Sequence, residues 1–158
     1  MLLPKIVCEI LPRFAHLSSQ IVPNKIQSKA IEFAINNVLK ESLEDGELDF
    51  LEEQILEIKV TDLNKSWFFT VIDERIIVKS EQSISQVTIS GEFNSFALLA
   101  SQTIDPDTLF FRRKLLIEGD VDLGLAVKNL LDRVELEQLP NLLSKPIEMY
   151  ATRLNQTA

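Results

Sequence analysis

Two carboxylates flank a glycine at Glu118-Gly119-Asp120, an arrangement that raises general acid-base chemistry by a carboxylate pair. The same residues have a simpler use. Gly119 suits a turn, Asp120 suits a helix N-cap, and Asp122 in the following turn suits the positive end of a helix dipole. His16, the single histidine, sits in an apolar N-terminal segment with no acidic or cysteine partner at metal-ligand spacing. A Ser-His-Asp site would have to use that histidine, and no nucleophile elbow accompanies it. Cys8 is the only cysteine, which excludes an intramolecular disulfide and a cysteine-rich metal site. Its nearest basic neighbour is Lys5, so a small apolar packing role is favoured over an activated thiol.

Other chemistries are equally poorly supported. The acids Glu41, Glu44, Asp45, Glu47, Asp49, Glu52 and Glu53 lack the alternating oxygen ligands around a central glycine that a calcium loop requires. They suit a solvated helix end and strand start. With 4 glycines, none at phosphate-loop spacing, nucleotide binding has no motif. A formal net charge of -8 argues against nucleic acid as a partner, because phosphate neutralisation needs clustered Lys and Arg. The expectation is a chain with no catalytic residue, no metal and no cofactor.

The surrounding elements follow from hydrophobic period and punctuation. Asn24 and Gln27, at capping-box spacing, predict a helix that ends near Asp45-Gly46. From Glu47 to Ser90 the period becomes two, with Leu56, Ile58 and Val60 alternating with polar residues, and with Val87 and Ile89 doing the same. Asp73-Glu74 stands at hairpin spacing between Trp67–Ile72 and Arg75–Ser80. Glu92–Thr103 predicts a helix, and Pro106 marks a turn into a long strand carrying Phe110 to Glu118. Leu123, Val127, Leu130 and Val134 then recur at helical spacing. Pro146 is expected to interrupt a last apolar segment.

These elements predict an α+β fold: about five strands in a mostly antiparallel sheet, with helices packed on one face. The division is an apolar helical segment at 1–22, a main domain at 23–140 and a C-terminal helical segment at 141–158. No apolar run approaches the length of about 18 residues that spans a membrane, and Glu9, Pro12 and Arg13 break the N-terminal stretch. A soluble cytoplasmic protein is expected. Trp67-Phe68-Phe69 and Phe110-Phe111 place large apolar groups on both faces of their strands. Either helices cover the second face, or an apolar cavity lies there.

The stretch FFRRKLLIEGDVDLGLAVKNLLD, with LEDGELDFLEEQILEIKVTD and SQTIDPDTLFF, resembles the sterol carrier protein type 2 domain family. The match is to the form found in bacterial ubiquinone-biosynthesis accessory factors. The resemblance implies a sheet and overlying helices that enclose an apolar lipid cavity, with Trp67, Phe69, Phe96, Leu99, Phe111, Leu123, Val127 and Leu130 as its lining. It further implies a non-catalytic accessory factor in the oxygen-independent branch of ubiquinone biosynthesis. Such a factor binds prenylated quinone precursors or other lipids and presents them to modifying enzymes. Implied partners are iron-sulfur hydroxylase-type proteins and other enzymes of the pathway. One cysteine cannot hold such a cluster here, so any cluster belongs to those partners. The terminal segments, Ile6 to Ile21 and Leu142 to Leu154, are left as lids, partner contacts or peripheral membrane contacts. The alternative is a structural protein-protein interaction subunit with no lipid ligand.

Overall fold

The computed structural model describes residues 21–79, 83–133 and 141–157. Cys8, His16 and the apolar segment before Ile21 lie outside the described residues. Five strands, β1 (Leu56–Val60), β2 (Lys65–Ile72), β3 (Arg75–Lys79), β4 (Val87–Gly91) and β5 (Leu115–Gly119), form one sheet in the order β3-β2-β1-β4-β5. Neighbours are antiparallel except the central β1–β4 pair, which is parallel. Asp73 and Glu74 join β2 to β3 with φ of 49° and 57°, the double left-handed geometry that matches the twist of a two-residue hairpin.

Register converts the two-residue period into two unlike faces. Leu56 lies opposite both Phe69 and Val87, Val71 opposite Ile76, and Ile89 opposite Ile117. All of these point to one face, where the core forms. The other face carries a polar ladder. The Glu57 carboxylate accepts hydrogen bonds from Ser66 Oγ at 2.7 Å and Thr88 Oγ1 at 2.9 Å. Phe68 and Thr70 are buried on this side, and Thr70 Oγ1 donates to the Leu51 carbonyl at 3.1 Å.

Six α-helices and a short 3-10 helix at Asp49–Leu51 complete the described chain: α1 (Asn24–Val38), α2 (Lys40–Glu44), α3 (Phe93–Ala100), α4 (Pro106–Phe111), α5 (Val121–Arg133) and α6 (Asn141–Thr157). Leu43 of α2, Leu109 of α4, and Leu123, Val127 and Leu130 of α5 join the strand residues in the core, with Ile35, Phe96 and Leu99 packed against it. The α+β expectation, with helices gathered on one face, is met.

Four local expectations are corrected. The first helix breaks at Leu39, whose φ of -98° and ψ of 15° leave the helical region, so Asn24–Glu44 is two helices. Gly46 nonetheless makes the expected left-handed exit, with Glu47 N–H donating back to the Ser42 carbonyl at 2.9 Å. Pro23, not Asn24, occupies the N-cap of α1, with no side-chain cap bond. Asn24 Oδ1 instead accepts from Lys65 Nζ at 3.1 Å.

The third correction is the long strand. Pro106 does not turn into a strand but opens α4, where Asp105 caps the helix by accepting from Thr108 N–H at 2.8 Å. Phe110 and Phe111 are therefore helical, and Arg112-Arg113-Lys114 forms an exposed turn with Arg113 at φ 56°. Only Leu115–Gly119 is extended. Finally, the backbone of α6 stays helical through Pro146.

Candidate functional site

The strand-turn-helix unit at β5 and α5 is built around its glycines. Gly119 has φ 110°, and a Cβ there would lie 2.3 Å from the Gln86 carbonyl oxygen. Only a residue without a side chain allows this approach. Asp120 then caps α5, its Oδ1 accepting from Leu123 N–H at 2.8 Å. The carboxylate that raised the question of catalysis is thus engaged in starting a helix. Gly124 lets α5 settle onto the sheet, because a Cβ there would be 3.2 Å from Ile117 Cδ1. Among the described residues, no group of three or more His, Cys, Asp or Glu side chains could hold a metal ion.

The residues assigned to a lipid cavity converge unequally. Phe69, Leu123, Val127 and Leu130 are buried members of the core, and Trp67, Phe96 and Leu99 are half-buried against it. They come from β2, α3 and α5, so the fold brings together positions that are distant in sequence. Phe111 stands apart, 91% exposed on α4, because its reading as a strand residue is the one corrected above. Its neighbour Phe110 packs against the core instead.

A wide opening lies elsewhere, between α1–α2 and the β2–β3 hairpin. This cleft has a volume of about 660 Å³, within the range of small-molecule sites. Leu43 and Ile76 form part of its lining and are also members of the core. Phe33, 73% exposed, stands at the rim, and Lys29, Lys40 and Arg75 add positive charge beside Glu32, Glu44, Asp73 and Glu74. The lining is therefore apolar at its base and polar at its mouth. No reading from local period identified this cleft, since its walls come from segments about forty residues apart.

One wall is held in an unusual way. Helix α1 has no fully buried residue. It is fastened to the edge strand β3 by side chains: Asn36 Nδ2 donates to the Ile76 carbonyl at 2.8 Å, and Glu32 Oε2 accepts from Val78 N–H at 3.1 Å. Partial burial pushes the Glu32 carboxyl up, but the Val78 N–H, the Lys29 hydrogen bond and the Lys29 charge outweigh it and hold the group below the usual glutamate value. A helix with no fully buried residue, held by Ile31 and Ile35 packed against the core and by polar bonds to β3, is a wall suited to opening locally before the sheet unfolds.

Comparison with known proteins supplies the remaining findings. Residues 34–132 match the family described as the SCP-2 sterol transfer family. Two curated relatives, each called ubiquinone biosynthesis accessory factor UbiT, come from Escherichia coli K12 and Escherichia coli O157:H7. Each is 38% identical over 132 residues, covering 84% of this chain and 75% of the relative. Among solved structures, one described as "UbiJ-SCP2 Ubiquinone synthesis protein" superposes with a TM-score of 0.58 at 16% identity, covering 72% of this chain and all of that one.

Proposed function

Because this chain belongs to the SCP-2 sterol transfer family, we propose that it is a non-catalytic lipid-binding accessory factor in ubiquinone biosynthesis. The observation that carries this reading is the dual position of Leu43 and Ile76. Each faces the open cleft and also belongs to the apolar core that contains Phe69 and Val127. A lipid tail entering beneath α1 would meet a continuous apolar path to the core face of the sheet. Trp67, Phe69, Phe96, Leu99, Leu123, Val127 and Leu130 would line its inner part. Burying the tail contributes roughly 25 cal/mol per Å² of apolar surface removed from water, with no reactive group needed.

The ligand class is a prenylated quinone precursor, and the polar mouth suits its aromatic head group. The name of the curated relatives supports the pathway, and the sequence resemblance supports its oxygen-independent branch with iron-sulfur hydroxylase-type partners. The site of action is the cytoplasm, with peripheral contact to the membrane that stores the precursors. Among the described residues, no helix is long and apolar enough to cross a membrane.

Native mass spectrometry of the purified protein tests the reading. Co-purifying prenyl-quinone precursors or other lipid, or uptake of an added prenylphenol, is the expected result. A protein that is empty and ignores added prenylphenol would overturn it. A second reading, an interaction subunit without lipid, draws on Ile26 and Phe33, exposed on α1 at 59% and 73%. It predicts that Phe33→Asp breaks a complex with another protein while no lipid signal exists to be lost.

A further inference from the structure

Helix α4 ends in a Schellman turn that carries its charges on the outside. Lys114 N–H donates back to the Leu109 carbonyl at 2.9 Å, and Arg113 N–H to the Phe110 carbonyl at 3.1 Å. Arg113 takes the left-handed position at φ 56°, where glycine costs least. Phe111, Arg112, Arg113 and Lys114 are consecutive and all exposed. At 91%, Phe111 is the most exposed large apolar side chain among the described residues. Neither the core nor the α1 cleft uses it.

The charges of this turn run against the trend of the chain. In a sequence of formal net charge -8, basic residues adjoin one another only at Arg112-Arg113-Lys114. Among the described residues, no salt bridge engages any of the three. The acids of α4 are already occupied. Asp107 pairs with Lys128. Asp105 caps the helix, and its carboxyl is held below the usual aspartate value chiefly by the Thr108 side-chain hydrogen bond, and least by the Arg112 charge. Glu118 lies four residues beyond Lys114, roughly 13 Å along an extended chain, where salt screens it.

An exposed aromatic ring beside a short basic run has the chemistry of a peripheral membrane contact. The ring enters the boundary of the acyl region, and the cations pair with headgroup phosphates. We infer that the turn between α4 and β5 docks this chain on an anionic phospholipid bilayer, with Phe111 inserted and Arg112, Arg113 and Lys114 on the headgroups. This deepens the lipid-carrier reading above and rests on it for its purpose. A projecting turn suits a lipid surface, which demands no matching shape, better than a protein, whose standard interface buries about 800 Å² on each partner. The negative charge of the whole chain does not prevent docking, because at physiological salt the surface field falls off within about 8 Å and acts on the turn. One ring and one basic run make a reversible contact. Since β5 is the edge strand opposite β3, docking leaves the α1 cleft free.

Co-sedimentation of the full chain with vesicles tests the inference. Binding to equimolar phosphatidylglycerol and phosphatidylcholine, weakened by added salt and absent with phosphatidylcholine alone, is the expected result. Arg113→Gly should weaken it about fivefold, the effect of one charge near an anionic surface, while keeping or raising the Tm because glycine fits the left-handed position. Phe111→Ser should weaken it about tenfold. Both variants should take up a prenylphenol as the parent does. No vesicle binding, equal binding to neutral vesicles, or binding indifferent to both substitutions would each overturn the inference, as would variants that lose a partner protein and keep the vesicles. Prenylphenol uptake without vesicle binding overturns the docking turn alone. Vesicle binding without prenylphenol uptake overturns the lipid-carrier reading and leaves the docking turn standing.

Discussion

The Asn36 side-chain amide closes a two-bond ring with the backbone of Ile76, donating from Nδ2 to the carbonyl at 2.8 Å and accepting from the N–H at 2.9 Å. A side chain here stands in for a neighbouring strand. The contact both seals the β3 edge and holds α1 over the cleft.

Asn36→Ala removes both bonds to Ile76, and the Nδ2 bond to the Glu32 carbonyl with them, and should destabilise the fold by about 1–3 kcal/mol, since each net hydrogen bond contributes about 0.5–1.5 kcal/mol. Urea unfolding measures the loss. Hydrogen exchange at Ile76 should accelerate more than exchange at Ile89, in the centre of the sheet.

Glu32 makes the same attachment sensitive to pH. Its folded pKa lies below the ordinary value, so its contribution is fully present above the unfolded glutamate pKa and disappears as pH falls through the folded one. Glu32→Gln should therefore be less stable than the parent at neutral pH. The two proteins should converge on acidification, as followed by denaturant unfolding across a pH series.

Gly119→Ala should be among the most damaging single-methyl changes. The added carbon would sit 2.3 Å from the Gln86 carbonyl oxygen at a φ of 110°, and strain of this kind costs about 1–3 kcal/mol before the clash is relieved. A lowered Tm, with Gly46→Ala compared in parallel, checks it.

Trp67, the single tryptophan and half-buried against the core, offers a fluorescence signal for ligand entry. Titration with a prenylphenol should change its emission. Phe33→Ser should weaken the apparent affinity about fivefold, the equivalent of about 1 kcal/mol of lost apolar contact. Phe111→Ser should leave the affinity unchanged, because that side chain is 91% exposed on α4 and stands outside the core.

The local features of the fold were legible because their signals are local. Asp73-Glu74 between two alternating runs announces a hairpin, and Asp120 before the Leu123 stripe announces a capped helix. The short helix α4 was misread for an equally local reason. Six residues make fewer than two turns, too few to establish a period, and the paired phenylalanines favour a strand by propensity. The cap signal was nevertheless present in Asp105, Pro106 and Thr108. Burial or partial burial of the candidate lining residues other than Phe111 matched their spacing, but the cleft was not legible there. Its existence depends on Glu32 and Asn36 meeting Val78 and Ile76, a long-range fact that no window of sequence contains.

The parallel pairing of β1 with β4 also bears on how the sheet is assembled. The β2–β3 hairpin closes over two residues, and β1–β2 over a short turn, so these three strands can meet early. The β4–β5 pair must first bring together strands separated by α3 and α4. The centre of the finished sheet is thus a parallel pairing whose closure loops out the whole β2–β3 hairpin, the costlier contact to form by loop length. Substitutions at Leu56 or Val87, on either side of that pairing, would be felt in the rate of folding as well as in the stability of the product.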